Sequence, residues 1–156
     1  MTRKKSPAQL DREIANVLRS RVTLTIDDAY RPWRELQILA HVNGKEAGYL
    51  DLQLTPQGVP YPSMVSVTPA MRRRGIATLL YQEAARVAED RFGHSLHSDV
   101  DRSGSDDAFW QKQVRAGLAE CMQKRKTSSG DVPFDHIVKG RSGCSRYRLA
   151  KGAVPR

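Results

Sequence analysis

Apolar residues recur at helical spacing in three stretches of the chain, and each stretch predicts an amphipathic helix. The first stretch covers residues 7–20, the second covers 75–91 and the third covers 106–122. Spacings of three and four residues place such side chains on one face of a helix, where they can pack against a core. The Phe92-Gly93 pair after the second stretch is typical of a helix end.

Alternating apolar and polar residues predict strands on both sides of the second helix. The predicted strands cover residues 22–26, 36–42, 48–54, 64–67, 95–100 and 145–150. Asn43 and Gly44 are typical of a two-residue hairpin turn, so the second and third strands are expected to be antiparallel neighbours. Residues 124–131 lack either pattern and predict a loop.

The order of these elements indicates the fold class. Strands gathered before a long helix, with further strands after it, predict an α+β or mixed α/β domain with a mostly antiparallel sheet flanked by helices. A chain of 156 residues is long enough for one hydrophobic core. We therefore expect a single domain over 1–156, with a basic tail at 1–6, an extra N-terminal helix at 7–20 and a core at 22–150.

Positive charge is concentrated at the two ends of the chain. The net charge is +9, with +4 in residues 1–21, +8 in residues 111–156 and −3 in the stretch between them. Two basic regions around a nearly neutral body would attract a polyanion or an acidic protein surface. The alternative is that the charge serves only solubility.

Several classes of protein are not expected from this composition. The longest nearly apolar run, from Ile76 to Tyr81, is far shorter than the ~20 residues that cross a bilayer. Cys121 and Cys144 form no motif that would bind zinc or build a disulfide framework. These observations predict a cytoplasmic protein with no metal and no membrane partner.

One segment carries a specific chemical signal: residues 65–81, where a strand ends and a helix begins across a basic turn. The start of a helix exposes unpaired backbone N–H groups and the positive end of the helix dipole, which together favour a phosphate or pyrophosphate. Gly75 allows the backbone to approach such a ligand closely, and Ala77 keeps the next turn uncrowded. The three arginines at 72–74 add positive charge at the same place.

This segment resembles the signature of the GNAT superfamily of acetyl-CoA-dependent N-acetyltransferases. The signature is a strand followed by [Arg/Gln]-x-x-Gly-x-[Gly/Ala] and a long helix, matched here by Arg72, Gly75 and Ala77 after Val67-Thr68-Pro69. The resemblance spans roughly residues 22–150. It implies a sheet that splays open at the CoA site, acetyl-CoA as the acyl donor, and direct attack by an amine in a ternary complex.

The resemblance also implies which residues hold the donor. The amides from Arg73 to Thr78 would bind the CoA pyrophosphate, and the main-chain N–H nearest Val67 would face the thioester carbonyl. The implied donor-binding residues are Val67, Arg72, Arg73, Arg74, Gly75, Ile76, Ala77 and Thr78.

The chain departs from the family pattern at two places. The link at residues 29–36, between the first two strands, has no room for the helices that usually shape the acceptor site. The tyrosine that commonly protonates the departing thiolate is also missing, because Phe109 and Trp110 occupy the closest positions and an indole cannot act as that acid. The acceptor pocket and the general acid must therefore be built differently.

Asp99 and His97 are the candidate catalytic residues. Together with Asp101 they alternate on the predicted strand at 95–100, which would place them on one sheet face, where either could bind or deprotonate an amine. The alternative is that they lie at an exposed strand end. Tyr81 is predicted to belong to the core.

These features predict an enzyme that transfers an acetyl or related small acyl group from acyl-CoA to an amine. The basic charge favours an amine on a macromolecule, either a protein or a nucleic acid, over a small cationic acceptor. The alternative is a non-catalytic GNAT-like binding module that uses its basic surface to bind nucleic acid or a protein partner.

Overall fold

The computed structural model describes residues 5–19, 21–100, 102, 104–127, 130–137 and 146–156. Among these residues the helices are α1 (Pro7–Arg19), α2 (Ile76–Phe92) and α3 (Gly104–Arg115), with a 3-10 turn at Pro69–Met71. The strands are β1 (Val22–Asp27), β2 (Leu36–Val42), β3 (Lys45–Leu54), β4 (Pro60–Val67), β5 (Ala119–Thr127), β6 (Gly130–Ile137) and β7 (Arg146–Leu149). The result is the mixed α+β architecture that the sequence predicts.

Helix α1 begins with a capping box formed by Ser6 and Gln9. The Gln9 amide donates to the Ser6 hydroxyl at 3.3 Å, and the Ser6 amide donates to the Gln9 side-chain oxygen at 2.9 Å. Pro7 fits the first helical position because its missing N–H would be unpaired there. Two apolar residues of this helix, Leu10 and Val17, remain 46% and 50% exposed.

Strands β1 to β4 form an antiparallel sheet in sequence order. Asn43 and Gly44 connect β2 to β3 with φ angles of 51° and 75°, which confirms the predicted tight turn. Helix α2 packs on one face of this sheet and buries a stripe of residues at three- and four-residue spacing. The buried residues of α2 are Ile76, Leu80, Tyr81, Ala84, Ala85, Val87 and Ala88.

The prediction of a regular strand at 95–100 is wrong. The segment instead makes hydrogen bonds with both sheets. The His97 amide donates to the Pro60 carbonyl at the start of β4, at 3.0 Å. On the other side the Ser98 amide donates to Tyr147 of β7 at 2.8 Å, and His97 forms an isolated bridge with Arg148. A strand needs consecutive pairs, and the backbone diverges from β4 after a single hydrogen bond.

The expected helix at 106–122 is also wrong in its second half. Helix α3 ends at Arg115, where Gly117 adopts a left-handed φ of 74° and the Leu118 amide donates to Gln113 at 2.9 Å. The chain then enters β5, which lies between β6 and β7 in a second antiparallel sheet. The loop expected at 124–131 is therefore wrong as well, because these residues lie mostly within β5 and β6.

Gly48 of β3 lies close to the backbone of β4. An added methyl group there would lie 2.6 Å from the Ser66 carbonyl oxygen and 3.2 Å from the Val67 Cα atom, both of which are backbone atoms. We expect Gly48→Ala to lower the free energy of unfolding by ~1–3 kcal/mol in urea titrations, because β4 must move to relieve the overlap.

Gly104→Ala is the matched control for this prediction. Gly104 lies in a helix with no atom within 4 Å of the added methyl group, so its substitution should leave stability equal or higher. Equal stability of the Gly48→Ala and Gly104→Ala proteins would contradict the close approach of β3 and β4.

Candidate functional site

The turn between β4 and α2 presents a row of backbone donors. Arg73 and Gly75 adopt left-handed φ angles of 60° and 82°, which turn the chain sharply into the helix. The first helical hydrogen bond runs from the Leu79 amide to the Gly75 carbonyl at 3.1 Å. Within the described residues, the amides from Arg73 to Thr78 therefore donate to no protein acceptor. Such a row can bind an anion along its length.

The arginines of the turn place positive charge beside these donors. Arg72, Arg73 and Arg74 are exposed, and the first turn of α2 contains no acidic residue. Arg72 folds back so that its Nε donates to the Val67 carbonyl at 3.0 Å, which joins the end of β4 to the turn. The turn thus combines oriented N–H groups, the helix dipole and side-chain charge.

A cavity of about 400 Å³ leads from this turn towards α3, and we call it the outer cavity. Its wall begins at the end of β4 and at the start of α2 and continues to the first turns of α3. The lining residues are Val65, Ser66, Val67, Arg72, Ala77, Tyr81, Ser105, Asp106 and Phe109. The outer cavity therefore contacts both the turn before α2 and the buried Tyr81.

A much smaller cavity, of about 20 Å³, lies on the other side of Tyr81 and Asp106, and we call it the inner cavity. It occupies the opening where β4 and the segment 95–99 diverge. Its lining residues are Pro62, Ser63, Met64, Val65, Tyr81, Asp99, Arg102, Asp106 and Trp110. Its volume is close to that needed for one water molecule, so only a slim group can enter.

Tyr81 is buried as predicted. The sequence did not indicate, however, that its hydroxyl group would contact a carboxylate of α3. Its ring stacks on Phe109 with centroids 3.9 Å apart, and the edge of Trp110 lies against it at 6.0 Å. The hydroxyl donates to Asp106 Oδ1 at 3.3 Å. Burial, followed by the negative charge of Asp106, raises the pKa of Tyr81 strongly, so the phenol stays protonated.

The structure does not bring the two candidate catalytic residues together. Asp99 lines the inner cavity, whereas His97 lines a separate cavity of about 410 Å³ that also contacts His94 and Arg148. His97 Nδ1 lies 2.9 Å from the Ser95 carbonyl oxygen. Burial lowers the pKa of His97 to about 4, which keeps the ring neutral. Asp101, the third member of the expected row, lies outside the described residues.

Arg102 fixes the segment that carries Asp99. Its Nη1 atom donates to the Asp99 carbonyl at 2.6 Å and to the Ser98 hydroxyl at 3.3 Å, and its Nη2 atom lies 3.0 Å from Asp107 Oδ1. The guanidinium also lies 4.8 Å from the centre of the Tyr147 ring. These contacts hold one wall of the inner cavity against α3 and β7.

The link between β1 and β2 is a tight turn, as its length suggests. Arg31 and Arg34 exchange two backbone hydrogen bonds of 3.0 Å, which leaves only Pro32 and Trp33 at the tip. Trp33 is 62% exposed and neighbouring Tyr30 is 65% exposed. As expected from the length of this link, the chain has no helix between β1 and β2, a stretch that the structure describes throughout.

The described residues contain neither a cluster of metal-binding side chains nor a helix suited to a bilayer. No three His, Cys, Asp or Glu side chains lie close enough together there to hold a metal ion. None of the helices in that part of the chain is both long enough and apolar enough to span a bilayer.

Comparison with protein families identifies the chain. The model of the acetyltransferase (GNAT) family matches residues 8–113, which is more than half of the sequence. The chain therefore belongs to the GNAT acetyltransferase family. No curated protein matches it.

Solved structures show the same fold at low sequence identity. A Lactobacillus plantarum protein, described provisionally as an N-acetyltransferase, aligns with a TM-score of 0.50 at 14% identity and covers 92% of each chain. The ribosomal-protein-S18-alanine N-acetyltransferase of Escherichia coli aligns with a TM-score of 0.45 at 15% identity, covering 94% of this chain and 88% of its own. The first of these likenesses supports the fold alone.

Proposed function

We propose that this protein transfers an acetyl or related small acyl group from acyl-CoA to an amine. The observation that carries the proposal is the turn at residues 72–78, whose free amides and arginines open directly into the outer cavity. A ligand in which a slim chain extends from a pyrophosphate fits this combination, and the pantetheine arm of acyl-CoA extends from its pyrophosphate in this way. Membership of the GNAT acetyltransferase family supports the same donor.

The donor would bind along the outer cavity. The amides from Arg73 to Thr78, which include those of Gly75, Ile76 and Ala77, would hold the pyrophosphate, and Arg72 and Arg74 would add charge-assisted hydrogen bonds. The pantetheine arm would follow the outer cavity towards β4. The thioester carbonyl would then lie beside the main-chain N–H of Val67, which would stabilise the negative charge that develops on the oxygen during attack.

The acceptor would approach from the inner cavity. Asp99 lines this cavity and can bind an ammonium group, whereas His97 lies in a different cavity and takes no part in the proposed mechanism. Because the inner cavity admits only a slim group, the body of the acceptor must remain outside it. This arrangement favours an amine that projects from a protein or another macromolecule.

Calorimetry with acetyl-CoA tests the donor site. We expect the Arg72→Ala/Arg74→Ala double variant to bind acetyl-CoA at least about tenfold more weakly, since charge-assisted hydrogen bonds contribute ~1.5–3 kcal/mol each before solvent screening. The matched control is Arg86→Ala/Arg91→Ala, which removes the same charge from exposed positions later in α2. Equal affinities for the two double variants would contradict the proposed donor site, and failure of the unmodified protein to bind acetyl-CoA would overturn it.

A further inference from the structure

Three residues line both cavities of the site, and two of them have polar groups in their side chains. The outer and inner cavities share Val65, Tyr81 and Asp106. If the donor occupies one cavity and the amine the other, the reacting atoms must meet at this shared wall. Val65 has an apolar side chain, so any proton transfer by a side chain at the wall must involve Tyr81 or Asp106.

The hydrogen bond between these two residues distinguishes their roles. Tyr81 donates its hydroxyl hydrogen to Asp106 Oδ1, and the ring is held by the face of Phe109 and the edge of Trp110. A buried phenol that already donates to a carboxylate is a poor proton acceptor. The carboxylate has a second oxygen and further lone pairs, so it can accept a hydrogen bond from Tyr81 and still bind an ammonium group.

Asp106 also differs from Asp99 in its position. Asp99 lines only the inner cavity, so it can attract the amine, but it lies away from the donor. Asp106 lies in the first turn of α3, at the wall between the outer and inner cavities. Of the two carboxylates, Asp106 is thus the one that lines both the inner and the outer cavity.

We propose that Asp106 is the catalytic residue that accepts the proton of the attacking amine, and that Tyr81 is the positioning residue that orients it. This inference rests on the proposed function. The incoming ammonium group gives one proton to Asp106, and the nitrogen lone pair then forms a bond with the thioester carbonyl carbon. When the tetrahedral intermediate collapses, the carbon–sulfur bond breaks and its electron pair leaves with the sulfur. The second nitrogen proton and the one on Asp106 are released, one to the thiolate and one to solvent, which gives amide and CoA thiol.

The test compares two slim amines that differ in basicity. n-Propylamine is protonated at neutral pH and needs a proton acceptor, whereas hydroxylamine is mostly unprotonated there. Enzyme-dependent release of CoA from acetyl-CoA is measured with each amine. For Asp106→Asn we expect a loss of about a hundredfold or more with n-propylamine and less than about tenfold with hydroxylamine, since general base catalysis contributes ~10²–10⁴-fold.

Three variants complete the experiment. Asp106→Glu should recover part of the n-propylamine rate because it restores a carboxylate. Tyr81→Phe keeps the ring and removes the hydroxyl, so it should lower kcat with n-propylamine by about tenfold while acetyl-CoA affinity stays unchanged. Asp99→Asn should mainly raise the KM for n-propylamine, as expected for a group that binds the amine without taking its proton.

The outcomes separate this inference from the function on which it depends. Equal losses with both amines in Asp106→Asn would mean that the residue supports only the fold, and would overturn the inference. An unmodified protein that binds acetyl-CoA but transfers to neither amine would overturn the inner cavity as the amine route. If acetyl-CoA does not bind at all, the proposed function itself fails.

Discussion

Replacing Gly75 by valine is expected to weaken acetyl-CoA binding by about a hundredfold, which corresponds to ~2.8 kcal/mol. Gly75 has a φ of 82° and caps the start of α2. A β-branched side chain is strained in this conformation by ~1–2 kcal/mol, and it would stand where the backbone must approach the pyrophosphate. Isothermal titration calorimetry of the folded variant measures the effect.

Gly93→Val is the matched control for this substitution. Gly93 caps the other end of the same helix with a φ of 68°, so valine suffers similar strain there without touching the turn. Both variants should lose comparable thermal stability, but only Gly75→Val should lose affinity for acetyl-CoA. An unchanged affinity in Gly75→Val would reject the turn as the pyrophosphate site.

Acidification from pH 6.5 to pH 4 is expected to destabilise the folded protein by up to ~3 kcal/mol through His97 alone. Burial, the main cause, lowers its pKa from 6.5 to about 4, while the positive charges of Arg146 and Arg148 add to the effect. Below pH 6.5 the unfolded chain therefore binds a proton that the folded chain does not. The contribution of the neutral His97 ring to the free energy of unfolding is present in full above pH 6.5 and is lost as the pH falls to 4.

Urea titrations at several pH values test this expectation. His97→Asn retains a donor that can reach the Ser95 carbonyl but cannot be protonated in this range, so its stability should fall less between pH 6.5 and 4. His94→Asn removes an exposed ring from the same cavity and should follow the unmodified protein. The same pH slope in all three proteins would show that His97 is not the group responsible.

Helix α3 lacks the tyrosine that the family resemblance implies, but a phenol from another helix lies close to it. Phe109 precedes Trp110 on α3, and its ring stacks on the ring of Tyr81, which belongs to α2. A phenol hydroxyl is thus present beside the outer cavity, although it arrives from a different helix and donates to Asp106. Its strongly raised pKa favours a positioning role over donation of its proton to the thiolate.

The sequence by itself determined the elements whose structure depends on residues close together in the chain. The apolar stripe of α2, the Asn43-Gly44 turn and the pairing of β2 with β3 were all predictable because turn geometry and side-chain periodicity act over a few residues. The sharp turn that leads into α2 was predictable for the same reason. Its glycine, its arginines and the start of the helix lie within seven residues, from Arg72 to Thr78.

The tertiary structure decided the region after α2. Residues 116–122 have an apolar pattern that suits a helix, but β5 gains long-range pairing with β7 that no local signal indicates. The segment 95–100 shows the opposite case. Its alternation suits a strand, yet it makes one backbone hydrogen bond with β4 and a single bridge with β7. Propensity is weak compared with the free energy of pairing and burial, so distant partners decided both outcomes.

The positions of the candidate catalytic groups also depend on long-range packing and not on local sequence signals. Alternation along the chain suggested that His97 and Asp99 act together, but the diverging backbone places them in separate cavities. Tyr81 and Asp106 are 25 residues apart and belong to different helices. Only the packing of α2 against α3 brings the hydroxyl and the carboxylate into contact, because side chains distant in sequence meet where burial of their apolar neighbours places them.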